Sequence, residues 1–345
     1  MLVRNPVTGD DLTAEWLTTA LARSSAGARV LDVRVEPMPT RDALFTGPDR
    51  LRLTWDRDGL PTTLVAKAVA DDHVAADMGA AMGVFEREAG FYERLADRCG
   101  VRTAAAWFTW SKPDSTLLLL EDLGELRGGD GRQGLEVEEV EATLRALASM
   151  HARWWGSAAL DGLSFLRRDD DRLDALGEQC RALVDRFVGR CAAGWTDGEV
   201  DMVRSVGADA AGAWRPLFHG GVTLAHGDVK PGNLFFDGME PVFVDWQAAA
   251  VASPAIDVVS ILGCGLPHEV RRANEADLID GYTAALRAAG VVLDEAAWRE
   301  QLGQAARAML TPCIAAAGVA DDRLARTLEV TARRRADLAL ALAQN

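Results

Sequence analysis

The sequence predicts an α+β protein of two lobes, a small antiparallel β-sheet lobe followed by a larger, mostly helical one. Three observations predict this. Alternating, β-rich runs crowd the first 70 residues. Helical periodicity dominates from residue 136 onward. A Gly-rich stretch, 127–134, separates the two regimes.

The elements follow in order. "DDLTAEWLTTALARS" (10–24) reads as a helix, with Asp10 or Asp11 as its cap, Glu15 in its first turn, and Leu12, Trp16, Leu17 and Leu21 at helical spacing. "ARVLDVRVEPM" (28–38), "DRLRLTWD" (49–56) and "TTLVAKAV" (62–69) alternate as strands, and the second sets Leu51, Leu53 and Trp55 on one face. Gly47, Pro48, Gly59 and Pro61 punctuate them as turn residues. "AAMGVFEREAGFYERLADR" (80–98) predicts one helix, and "STLLLLEDLGE" (115–125) a short apolar strand ending in acids and a glycine. "RGGDGRQG" (127–134) reads as a linker. Helices are expected over 136–153, 170–194, 198–215, 274–289, 294–309 and 321–343, interrupted by the strand pair "NLFFDG" and "PVFVDW".

Composition narrows the function classes. The chain has 345 residues, 49% of them apolar, enough to bury a large core without staples. Its five cysteines are odd in number, scattered and form no C-x-x-C pair, which suggests neither a disulfide framework nor a zinc site and fits free thiols in a reducing compartment. The N-terminus lacks an apolar signal segment, and no run approaches the ~20 apolar residues of a membrane span, so a cytoplasmic protein without membrane insertion is expected. A net charge of −15 argues against a nucleic-acid partner, which needs Lys and Arg clusters, and mildly favours cationic small molecules.

One stretch carries chemistry. "HGDVKPGNLFF" (226–236) sets His226, Asp228, Lys230 and Asn233 in tight spacing, and Asp245 follows inside the apolar run "VFVDWQ". Charges there cost desolvation energy unless something pairs with them. Asp228 and Asn233 alone would fit a turn; Asp245 makes the set more than that. Two carboxylates and an amide oxygen are hard ligands of the kind Mg²⁺ prefers, and a lysine among them can offset phosphate charge. The spacing matches the phosphotransfer pattern H-x-D-x-x-x-x-N followed by a metal-binding Asp.

These residues resemble the aminoglycoside phosphotransferase and ecdysteroid-kinase-like superfamily of small-molecule kinases, which shares the two-lobed protein-kinase-like fold. "VFEREAGFYERL", "LLLLEDLG", "LRALASMHARWWG" and "SPAIDVVSIL" are similar to further family segments and occur in the right order. The resemblance implies a nucleotide-binding lobe at 1–123 and a helical lobe with catalytic loop and acceptor site at 124–345. It implies ATP and Mg²⁺ as cofactors and a small-molecule acceptor. By residue, it implies that Asp228 orients the attacking hydroxyl or amine and that Lys230 reaches the γ-phosphate. Asn233 and Asp245 hold Mg²⁺. Lys67 contacts the α- and β-phosphates, with Glu88 pairing to hold it. The backbone of Glu121 and Leu123 meets the adenine. His226 and Asp257 support the loop.

The phosphate-covering loop departs from the pattern. It is expected at 37–50, where Gly47 is the only glycine, and Thr40, Arg41 and Thr46 are its candidate substitutes. Trp246 fits either the core or the wall of the acceptor pocket, and His151 a structural hydrogen bond. The expected function is phosphorylation of an aminoglycoside, amino sugar, choline-like amine or hydroxylated lipid or sterol. The alternatives are a pseudokinase that binds nucleotide as a scaffold and, with "HGD" for "HRD" and no A-P-E segment against it, a protein kinase.

Overall fold

The computed structural model describes residues 12–38, 45–69, 73–167, 170–317 and 322–343. The chain forms two compact units, one of residues 1–98 with 103–126, the other of 99–102 with 127–345.

The first unit opens with helix α1 (Ala14–Ala20), followed by strands β1 (Val30–Pro37), β2 (Thr46–Trp55) and β3 (Thr63–Val69), helices α2 (His73–Met82) and α3 (Val84–Arg94), the two-residue strand β4 (Arg102–Thr103) at the unit boundary, and strands β5 (Ala106–Lys112) and β6 (Ser115–Glu121). Its five-stranded antiparallel sheet runs β1-β2-β3-β6-β5. The alternation read from the sequence sends Leu51, Leu53, Leu64 and Ala66 to one face, where they pack with Leu117 and Leu119 of β6, Leu17 of α1 and Leu21 just after it. Each fully buried leucine there contributes roughly 2 kcal/mol. Helix α1 is capped by Thr13, whose Oγ1 accepts from Trp16 N at 3.2 Å. Asp10 and Asp11, the expected caps, lie outside the described residues, as do Thr40 and Arg41.

Two expectations change here. The single helix over 80–98 is two, because Gly83 adopts φ +66° and breaks the run between α2 and α3. The sequence reading also passed over β5, which supplies the sheet's second edge.

The second unit contains β7 (Arg127–Gly128), α4 (Val137–Trp154), α5 (Asp170–Cys191), α6 (Asp197–Ala208), α7 (Ala210–Trp214), β8 (Thr223–Ala225), β9 (Leu234–Asp237), β10 (Glu240–Phe243), β11 (Ala250–Ala252), α8 (Ala255–Gly265), α9 (His268–Ala288), α10 (Glu295–Ala308), α11 (Thr311–Ala316) and α12 (Asp322–Leu342). Every residue of α8 is buried. A helix apolar all round belongs in the core, and this one carries the other helices and the loop beside it. The helix expected over 198–215 breaks at Asp209, which leaves helical geometry to cap α7 by accepting from Gly212 N at 3.0 Å.

The stretch 127–134 is no linker. Its first two residues form β7, antiparallel to β9, and Gly129 N donates to Leu234 O at 2.9 Å. Arg127 lies over the Phe236 ring at 4.8 Å and pairs with Glu139. Among the described residues no helix is long and apolar enough to cross a membrane.

Candidate active site

Strand β8 delivers the chain into the loop 226–233. Two residues fix that loop from below. Asp257 of α8 accepts from His226 N and from Gly227 N, each at 2.7 Å. His226 Nδ1 accepts from Asp228 N at 3.3 Å, so its proton sits on Nε2, which donates to Val244 O at 3.0 Å. The tight turn needs Gly227: it lies at φ +85°, and a Cβ there would meet Ala248 O at 2.3 Å.

A buried chain extends this support. Tyr282 of α9 donates its hydroxyl proton to His151 Nδ1 at 2.7 Å, and His151 Nε2 donates to Asp257 Oδ2 at 3.1 Å. Burial, followed by the charge of Asp257, pushes the Tyr282 phenol well above its ordinary range, so it stays a donor. His151 is fully buried and its ring carries a structural hydrogen-bond pair.

On this base the loop presents a cluster. Lys230 Nζ lies 2.7 Å from Asp228 Oδ2. Asn233 Nδ2 donates to Asp228 O at 2.9 Å and to Asp228 Oδ2 at 3.1 Å, which leaves Oδ1 of Asn233 as its acceptor for a cation. Burial pushes the Asp228 carboxyl up, but Lys230 outweighs it, with Arg335 behind, and the group is held below the ordinary carboxylate range. Burial works against the Lys230 ammonium too, yet Asp228 and then Asp245 raise it above its ordinary value.

Asp245 follows β10 in a left-handed conformation, φ +67° and ψ 60°. A non-glycine residue there is uncommon and marks a position held by its surroundings. The hairpin register pairs Phe243 with Leu234, and Val244 N donates to Asn233 O at 3.1 Å, so Asn233 and Asp245 are neighbours across adjoining strand ends. Among the described residues no group of three or more His, Cys, Asp or Glu is placed to hold a metal. An amide oxygen and a carboxylate nonetheless fit Mg²⁺, which takes one or two protein oxygens and completes its shell with water and phosphate.

The first unit holds the other site candidates. Lys67 Nζ lies 2.8 Å from Glu88 Oε1, and the side chains are 14% and 3% exposed. Glu121 ends β6, three residues beyond Leu118, the cross-strand partner of Lys67. Its N–H donates to Ala105 O at 2.8 Å. Leu123 follows, its side chain buried.

Other expectations are corrected by burial. Trp246 is fully buried, with its ring centroid 4.4 Å from that of His226, so it packs the loop and lines no pocket. Thr46 is buried at the start of β2 and presents nothing to a phosphate. Sequence reasoning missed Gly129, where a Cβ would meet Pro231 O at 2.3 Å; the backbone of the Gly-rich stretch touches the loop 226–233 directly. It also missed Arg335, buried in α12, which donates to Met309 O at 2.7 Å.

The model of the ecdysteroid kinase-like family matches residues 50–161 and 217–293, more than half of the chain. Solved structures share the fold. A variant of aminoglycoside 2'-phosphotransferase-IIIa in its GDP complex is 12% identical with a TM-score of 0.55, over 94% of this chain and 97% of that one. Choline kinase from Cryptosporidium parvum Iowa II is 11% identical with a TM-score of 0.55, over 90% and 89%. Ethanolamine kinase from Plasmodium vivax is 10% identical with a TM-score of 0.52, over 87% and 81%. No curated protein matches the chain.

Proposed function

The chain belongs to the ecdysteroid kinase-like family, and on that premise we propose that it is an ATP- and Mg²⁺-dependent phosphotransferase acting on a hydroxyl or amine of a small molecule. The observation that supports this most is the cluster of Asp228, Lys230 and Asn233 in direct hydrogen-bond contact on a loop held by Asp257.

Phosphoryl transfer asks for positioning and charge stabilisation more than for covalent work. Asp228 is ionised at neutral pH and accepts the proton of the acceptor's O–H or N–H as a hydrogen bond, which aims the lone pair at the phosphorus. A carboxylate held this low is a weak base; it orients the nucleophile early and takes the proton late, as a loose transition state allows. Lys230 offsets charge on the transferring group. Asn233 Oδ1 and the Asp245 carboxylate would hold Mg²⁺, which supplies charge neutralisation for the nucleotide phosphates when bound. Lys67, fixed by Glu88, contacts the α- and β-phosphates, and the Glu121 carbonyl and Leu123 N–H read the base. The acceptor is an aminoglycoside, amino sugar, choline-like amine or hydroxylated lipid or sterol; the fold relatives named for choline, ethanolamine and aminoglycosides keep amino alcohols among them.

A second reading, a nucleotide-binding scaffold without turnover, draws on the glycine-poor stretch at 37–50. The test is ADP or GDP release with Mg-ATP or Mg-GTP across a panel of these acceptors, on wild type and Asp228→Ala. Turnover that disappears in the variant while nucleotide binding persists supports the enzyme. Binding without turnover on any acceptor supports the scaffold, and no binding of either nucleotide overturns both.

A further inference from the structure

Between the two residues assigned to the base stands Asp122, whose carboxylate pairs with Arg50 of β2. It is 8% exposed, so a carboxylate there needs partners. It has several. Arg50 of β2 grips it at both oxygens, Nε to Oδ2 at 2.6 Å and Nη2 to Oδ1 at 3.1 Å. Oδ1 also accepts from Gly124 N at 3.0 Å, closing a turn around Leu123. Burial raises the Asp122 carboxyl, but Arg50 first, then the Gly124 amide and Thr63 of β3, bring it below its ordinary value.

The register says what this anchors. Arg50 lies opposite Val65 on β3, and Lys67 opposite Pro48 on β2. Cross-strand partners share a face, and so do residues two apart, so Arg50 and Lys67 project from the same face of the sheet. The ion pair therefore ties the segment after β6 back to the face that carries the phosphate-binding lysine. It spans 72 residues of sequence and joins strand β2 to the segment that follows β6. A bidentate guanidinium–carboxylate pair fixes orientation as well as distance.

We propose that Asp122 and Arg50 form a clamp that sets the Glu121 carbonyl and the Leu123 N–H for the nucleobase, and so act as positioning residues for the nucleotide donor. The inference rests on the phosphotransferase reading above. It holds β2, which follows a glycine-poor stretch of sequence, by an ion pair from its middle. The clamp acts on the base and leaves the phosphate contacts alone. Loss of either partner therefore weakens a nucleotide but not a bare polyphosphate.

The test compares Mg-ADP with Mg-tripolyphosphate, which lacks base and sugar, by titration calorimetry on wild type, Arg50→Ala, Arg50→Lys, Asp122→Ala and the double variant, with melting followed in parallel. Removing one partner of a charged hydrogen-bonded pair weakens Mg-ADP about tenfold. Tripolyphosphate binding stays within about twofold, and the double variant is no worse than either single one. Arg50→Lys, which keeps charge without the fork, recovers only part of the loss. In steady state the KM for the nucleotide rises while kcat at saturation holds. Equal loss of both ligands, or unchanged Mg-ADP binding in folded variants, overturns the clamp. Wild-type protein that binds tripolyphosphate but gains nothing from the base overturns it as well. Wild-type protein that binds neither ligand sinks the phosphotransferase reading itself, and the clamp with it.

Discussion

The molecule contains two lysine–carboxylate pairs of nearly equal length that are built for different work. Lys67 and Glu88 meet at 2.8 Å across 21 residues, strand to helix, with side chains 14% and 3% exposed. Lys230 and Asp228 meet at 2.7 Å across two residues of one loop, with side chains 30% and 22% exposed. The first pair is a tie between elements, out of water. The second is wetter and local, which suits the exchange of partners that the proposed function asks of it. Similar distances thus conceal different roles; burial and chain separation tell them apart.

The comparison breaks most visibly on activity. Asp228→Ala is expected to lower kcat by about 10³-fold while leaving the melting temperature almost unchanged, since Asp228 is partly exposed and its partner Lys230 can turn to solvent. Steady-state turnover beside a thermal melt decides this; a large fall in stability with the activity would place Asp228 with the structural pair. The next largest effect is on stability. Lys67→Met removes the ion pair from the buried Glu88 carboxylate and is expected to cost about 3 kcal/mol in a denaturant melt. Adding Glu88→Leu should restore most of that stability and none of the activity. If the double variant melts like the single one, the pair is not the tie described here.

The clustering of the candidate site was legible because it joins residues close in sequence. The His226, Asp228, Lys230 and Asn233 spacing and the lone Asp245 stand out in the bare sequence, and the alternation that sends Leu51, Leu53 and Leu64 to one face does too. The supports were less legible, since they depend on residues far apart in the chain. Tyr282 meets His151 across 131 residues, and His151 meets Asp257 across 106. Local composition misled as well: a Gly-rich run looks like a linker, yet Gly129 is small so that its backbone can lie against Pro231 of the catalytic loop. Gly129→Ala tests that contact. The added Cβ would stand 2.3 Å from a backbone oxygen, so the loop must shift, and kcat is expected to fall about tenfold with nucleotide affinity intact. Unchanged turnover would return the stretch to the role of a spacer.

The smallest effect is the one that separates the two lysines by pH. Asp228 titrates below the ordinary carboxylate range, with Lys230 as the strongest cause of the lowering. A carboxyl whose folded pKa is depressed contributes stability that is present above its unfolded pKa and lost as pH falls through the folded one. The same sign governs activity: the acid limb that belongs to Asp228 should lie below the ordinary carboxylate range, leaving kcat/KM flat in this respect around neutral pH. Lys230→Met removes the cation that favours the ionised form, so the acid limb should move upward and the stability at low pH should fall less steeply. Lys67→Met, on the other unit's pair, should lower the rate at every pH without moving that limb. The two variants measured together from the acid edge of the folded state up to neutral pH make the contrast quantitative. An acid limb that stays in place in Lys230→Met would mean that burial and Arg335, and not the loop lysine, set the charge of Asp228.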